Sequence, residues 1–176
     1  MEGHPKEGAM KTISRMGRPQ RRDRLVRERV HDPYRAREKP TEPARCPACK
    51  VAWHKGRWQW ADDSLQDARA ELCPACRRVR DAAPAGLLTI EGWFVPEHKE
   101  EIVGLVRRCE ENERSTHPLN RIMSVREEGN TLEVSTTDIH LPRRIGEALA
   151  KAYDGRLSFH YAPEDYFLRV DWRRDV

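Results

Sequence analysis

The sequence predicts an α+β protein in three parts: a basic arm over residues 1–45, a four-cysteine metal module over 46–84, and a ferredoxin-like domain over 85–176. Three observations carry this prediction. Two identical Cys-Pro-Ala-Cys tetrapeptides bracket 23 residues. Strand-like and helix-like hydrophobic periods alternate after residue 85. The first 45 residues show neither period. Only 38% of the 176 residues are hydrophobic while 35% are charged, so the core is small for the length.

The arm comes first in the chain and is the most polar part. Residues 1–45 carry a balance of +6, residues 46–84 one of +2 and residues 85–176 one of −4. Leu25, Val26 and Val30 are almost the only aliphatic residues between Gly17 and Arg45. Such a stretch buries too little surface to offset its ordering entropy and is expected to be disordered alone, with a short helix possible over 21–30, ended at Asp32-Pro33. A solvated, solubilising tail is one reading. Its composition favours another. Arg15, Arg18, Arg21, Arg22, Arg24, Arg27 and Arg29 crowd one short stretch, with Arg35 and Arg37 behind them. Arginine in place of lysine suits planar, bidentate phosphate contact, so the arm is read as a nucleic-acid binder.

The metal module rests on spacing. In a CxxC turn two thiolates converge on one ion, and two such turns complete a tetrahedron, which assigns Cys46, Cys49, Cys73 and Cys76 to one structural Zn2+. Two thioredoxin-type redox pairs would need a strand-helix context that is missing. The segment between the pairs is expected to form a hairpin, with Trp53, Trp58 and Trp60 alternating along one strand and a helical turn or two over Ser64–Leu72. Those tryptophans are either the module's core or stacking platforms for bases. His54 is a spare candidate ligand, better placed on the surface or facing RNA. Lys50, Lys55, Arg57, Arg77 and Arg78 surround the cysteines and extend the predicted RNA contacts.

The last part has the clearest elements. Leu87–Gly92 reads as a strand. Pro96 opens a helix whose stripe is Ile102, Leu105, Val106 and Cys109, which makes Cys109 a core residue. Ile122–Arg126 and Leu132–Thr136 flank a turn at Glu128-Gly129-Asn130. A second helix starts near Leu141, with Ile145, Ala148, Leu149 and Ala152 buried and Gly155 as its left-handed cap. Strands over 157–161 and 166–172 close a β-α-β-β-α-β order with a possible fifth strand. Arg143, Arg144, Arg169, Arg173 and Arg174 could touch phosphate, although the domain is acidic overall.

No Walker loop, GxGxxG, GxSxG, HExxH or deaminase motif occurs, and the seven histidines are scattered. The protein is therefore expected to be no enzyme. It has no run of about 18 apolar residues and no signal-peptide core near its first residues, so a cytoplasmic location is expected.

The CPAC pairs, the phrase RRIGEALAKAYDG and the ending LSFHYAPEDYFLRVDWRR resemble a proteobacterial family of small zinc proteins, over roughly residues 11–174. In its zinc region the chain also resembles the ribosome export adaptor of the nonsense-mediated-decay type-three family. That resemblance implies a ribosome-associated role and carries over only Cys46, Cys49, Cys73 and Cys76 as zinc ligands. The expectation is a non-catalytic ribosome-binding factor acting in stress, hibernation or quality control, with its arm in an rRNA-lined channel. A zinc-dependent DNA-binding regulator is the alternative, and a zinc enzyme or thiol switch a third.

Overall fold

A computed structural model describes residues 31–35, 39–61, 65 and 67–176. The predicted contacts at Arg15–Arg29 and Arg37, the possible helix over 21–30, and residues 64 and 66 of the turn expected over 64–72 lie outside those residues. Among the described residues the fold is mixed α+β, with two sheets and four helices.

The first sheet is small and belongs to the cysteine-rich segment. Its strands are β1 (Ala44–Arg45), β2 (Ala52–His54), β3 (Arg57–Gln59) and β4 (Arg69–Ala70), in the order β3-β2-β1-β4. The hairpin expected between the cysteine pairs is β2–β3, reversed at Lys55-Gly56, both with positive φ. The tryptophans do not share one strand. Trp53 on β2 lies opposite Trp58 on β3, their rings edge to face at 5.8 Å, while Trp60 follows β3 and lies against Arg114. Residues 69–70, expected in a helical turn, instead pair in parallel with β1 as β4. Helix α1 (Pro74–Arg80) follows at once, with proline in its first turn and Cys73 as its N-cap.

The second sheet holds β5 (Gly86–Glu91), β6 (Ile122–Glu128), β7 (Thr131–Thr136), β8 (Arg156–Tyr161) and β9 (Leu168–Arg173). Its order, β6-β7-β5-β9-β8, departs from the ferredoxin-like prediction. The split β-α-β part is present, with β7 antiparallel between β5 and β6. The place beside β5 that a fourth strand would take in antiparallel fashion is held by the fifth, β9, in parallel, and β8 is pushed to the edge. Burial explains the exchange. On β9 Leu168, Val170 and Trp172 are all fully buried, whereas β8 begins with exposed Arg156 and ends with exposed His160 and Tyr161. The more apolar strand takes the interior and the polar one blunts the edge.

Helices cover one face of this sheet. The predicted helix from Pro96 is broken in two: α2 (Phe94–Glu97) and α3 (Lys99–Thr116), with His98 at the break and its ring stacked on Phe94. Pro96 therefore sits inside the short helix and does not open the long one. The break lets Phe94 turn toward Tyr153 and Trp172 while Ile102 and Val106 stay in the core. Cys109 packs against that core, and burial pushes its thiol pKa up. Helix α4 (His140–Tyr153) buries Leu141, Ile145 and Leu149, but Ala152 is exposed. Gly155 has φ +89, and a Cβ there would lie 2.8 Å from Arg173 O, so no other residue fits the turn into β8. No helix among the described residues is long and apolar enough to cross a membrane.

The start of α4 depends on Asp138. Its Oδ2 accepts from the backbone N–H of His140 at 2.7 Å and of Leu141 at 3.0 Å, while its buried Oδ1 has no partner. Burial pushes its pKa from 3.8 up to about 6, against those two hydrogen bonds. Folded protein thus holds a proton that the unfolded chain releases, and stability present at low pH falls as the pH rises from about 4 through about 6. Asp138→Asn keeps a capping oxygen and removes the charge. In denaturant melts it is expected to match wild type near pH 4 and to exceed it by about 2 kcal/mol at pH 7.5.

Candidate metal centre

The two CPAC turns meet because two different local structures aim them at one point. The first is a knuckle: Cys46 N–H donates to Val51 O at 2.8 Å and Lys50 N–H to Cys46 O at 2.9 Å, with Lys50 in the left-handed region at φ 69. The second is a helix start, where Cys73 Sγ accepts from Cys76 N–H at 3.5 Å. Sheet pairing brings the halves together, since β1 runs into Cys46 while β2 and β4 flank it. All four Sγ atoms lie within 4.8 Å of one another. None forms a disulfide, and Cys49 and Cys73 stand 3.6 Å apart. Sulfurs bound at about 2.3 Å around a tetrahedral ion would be about 3.8 Å apart, so the four thiols fit one metal ion. Cys46 and Cys73 are fully buried, and Val51, Ala75, Trp58 and Leu72 pack around the sulfurs.

Electrostatics at the cluster favour one thiolate, at Cys49, while burial pushes the Cys76 thiol up. The hydrogen bond from Cys73 holds the Cys49 thiol well below the ordinary range, at about 4, helped by the Val51 backbone and by Arg121. Its neighbour Cys73 is pushed up, because the shared proton stays on it and burial disfavours a second charge. A metal ion bound by the four sulfurs would take the place of that proton.

Arg121, which no sequence pattern singles out, completes the centre. It lies in the loop between α3 and β6, is only 8% exposed, and carries its guanidinium across to the cysteines. One terminal nitrogen donates to Cys49 Sγ at 3.1 Å and approaches Cys73 Sγ at 3.7 Å; the other reaches Cys76 Sγ at 3.5 Å. Its Nε donates to Pro118 O at 2.7 Å, and its backbone N–H donates to Thr137 Oγ1 at 2.9 Å. Four thiolates around a dication leave a net charge of −2, and this guanidinium offsets half of it in a low-dielectric site. The same loop sends Leu119 into the apolar packing around the sulfurs. Buried Glu113 braces the loop by accepting from Asn120 at 2.9 Å and pairing with Arg144 at 2.8 Å.

The predicted contact residues separate into two groups. Lys50, Lys55, Arg57 and Arg35 are exposed. Arg77 is half-buried and pairs with Glu71 at 3.0 Å. Arg78 is buried: it pairs with Asp32, donates to Ala83 O at 2.9 Å, and lies 4.3 Å from the centre of the Tyr34 ring. It anchors the end of the arm internally and is not placed to meet phosphate. His54 stays outside the sulfur cluster, with Nδ1 3.1 Å from Glu42. In the larger domain Arg143 pairs with Glu147, and Arg173 with Glu91 and Asp175. Arg174 lies over Phe94 and donates to Tyr153 O, so it too has an internal role.

Comparison of the chain with protein-family models, with curated proteins and with solved structures finds no match.

Proposed function

We propose that the protein is a non-catalytic, zinc-stabilised RNA-binding factor that works on the ribosome. Its arginine arm enters an rRNA-lined channel and blocks mRNA or tRNA by occupancy, as a stress, hibernation or quality-control factor would. The ion is Zn2+, the usual occupant of a closed four-thiolate tetrahedron, and with all four positions taken it has no place for a substrate. One observation carries the reading: the seven arginines from Arg15 to Arg29, followed by a root at Asp32 and Tyr34 that is tied to Arg78 beside the metal. An arm anchored at a fixed point has a defined exit, so its charge is delivered to one region of a large RNA surface. The resemblance of the zinc region to a ribosome export adaptor agrees with this reading.

The DNA-regulator alternative needs a free recognition helix beside the zinc. Helix α1 is the element at that position, and its arginines are engaged: Arg77 with Glu71, Arg78 with Asp32, Arg80 with Asp81. That disfavours base reading in a groove.

Sedimentation through a sucrose gradient with cell lysate tests the proposal. The protein is expected among the ribosomal particles at low salt and at the top of the gradient at high salt, because each phosphate neutralised releases counterions. Protein that stays at the top at low salt overturns the ribosome reading. Deleting residues 1–30 is expected to weaken association by about a hundredfold at physiological salt and to leave the thermal midpoint unchanged. Equal co-sedimentation of the truncated protein would count against the arm.

A further inference from the structure

A cleft of about 650 Å3 opens between the metal module and the loop after α3. Trp53 and Trp58 line it from the module, and Pro118 and Leu119 line it from the loop. Arg35, Lys39 and Arg57 stand at its border, and among the described residues none of them is ion-paired. Among the described residues the only carboxylate lining it, Glu71, is already paired with Arg77. A concave wall of half-buried indoles bordered by exposed cations matches one ligand chemistry: flat aromatic rings joined by phosphates.

We propose that this cleft binds one or two unpaired nucleotides of RNA, with a base against Trp53 and Trp58 and the flanking phosphates on Arg57, Arg35 and Lys39. The proposal rests on the RNA reading above and gives it a second contact beside the arm. Its volume lies within the range of about 300–1,000 Å3 that small-ligand sites occupy. Stacking selects a single strand, because a duplex hides its base faces. An acidic peptide would satisfy the cations but leave the indole faces without a partner. The site is also continuous with the arm, since Arg35 and Lys39 lie just beyond the anchor at Asp32. A strand held by Arg35 and Lys39 would pass the mouth of the cleft.

The test uses the full-length, metal-loaded protein and fluorescence anisotropy at physiological salt, with a short oligouridine, a matched RNA duplex and an oligoglutamate peptide as probes. The charge reversals Lys39→Glu and Arg57→Glu fall on exposed side chains, and an unchanged metal content and thermal midpoint certify the fold. Together they are expected to weaken oligouridine binding about tenfold or more while duplex binding, carried by the arm, changes far less. Oligouridine carrying 4-thiouridine is expected to cross-link to the peptides that contain Trp53 and Trp58. Unchanged oligouridine affinity in the double variant, an equal loss for duplex, cross-links mapping elsewhere, or tighter binding of the peptide would each overturn the proposal. Wild type that binds oligouridine through the cleft but does not sediment with ribosomes sinks the ribosome reading alone. Wild type that sediments while the cleft variants bind oligouridine normally sinks the cleft alone.

Discussion

Cys73→Ser is expected to strip the metal from the protein and unfold residues 40–84. Cys73 is the fully buried sulfur at the start of α1, so its loss removes a metal ligand from the centre of the cluster, while the serine hydroxyl can still cap the helix at Cys76 N–H. The strands around the site are two or three residues long, too short to persist without the ion that joins them. Metal binding in such modules supplies about 10 kcal/mol or more of folding free energy, which the small cluster of Val51, Ala75, Trp58 and Leu72 cannot replace. Metal content should fall from one equivalent to near zero, and near-ultraviolet circular dichroism from Trp53, Trp58 and Trp60 should collapse. The second sheet has its own core from Leu88 to Trp172 and should melt separately at a lowered temperature. A variant that keeps one tightly held metal and a wild-type melt would refute the structural role of the site.

Much of this architecture is legible in the residues, and what is not has physical causes. The four ligands can be found because CxxC spacing is itself the coordination geometry, written within four residues. The stripes of α3 and α4 and the turn at Gly129-Asn130 are equally local. The place of β9 is not, since a parallel insertion next to β5 is decided by competition between strands far apart in the chain. Its full alternation of Leu168, Val170 and Trp172 is the signal that could have put it inside. Arg78 misleads for a related reason. Two residues after a cysteine it looks like a phosphate contact, and only the packing of α1 shows that this face turns inward to Asp32. Arg121 carries no pattern at all. Charge arithmetic on a tetrathiolate site calls for a nearby cation, but nothing local says that it comes from a loop 45 residues beyond Cys76.

Arg121→Met is the second large effect, and it separates two accounts of how the parts of the chain are joined. If the metal module were held to the larger domain by apolar contact alone, methionine would fill the space of the stem and cost little. The hydrogen bonds to three sulfurs argue otherwise. Without the guanidinium, a doubly negative metal–thiolate cluster stays buried without the cation that offsets half of its charge, and Pro118 O loses its donor. A cost of about 3 kcal/mol is expected, and it should show as faster metal release to a colorimetric chelator, since added electron density makes the sulfurs easier to protonate and oxidise. Arg121→Lys keeps the charge but not the fork, so it should recover part of the stability while leaving metal release fast. Metal release and melting at wild-type values in both variants would show that the cation is incidental to the cluster. Slow release restored by lysine would assign the effect to charge alone and not to the directed N–H···S contacts.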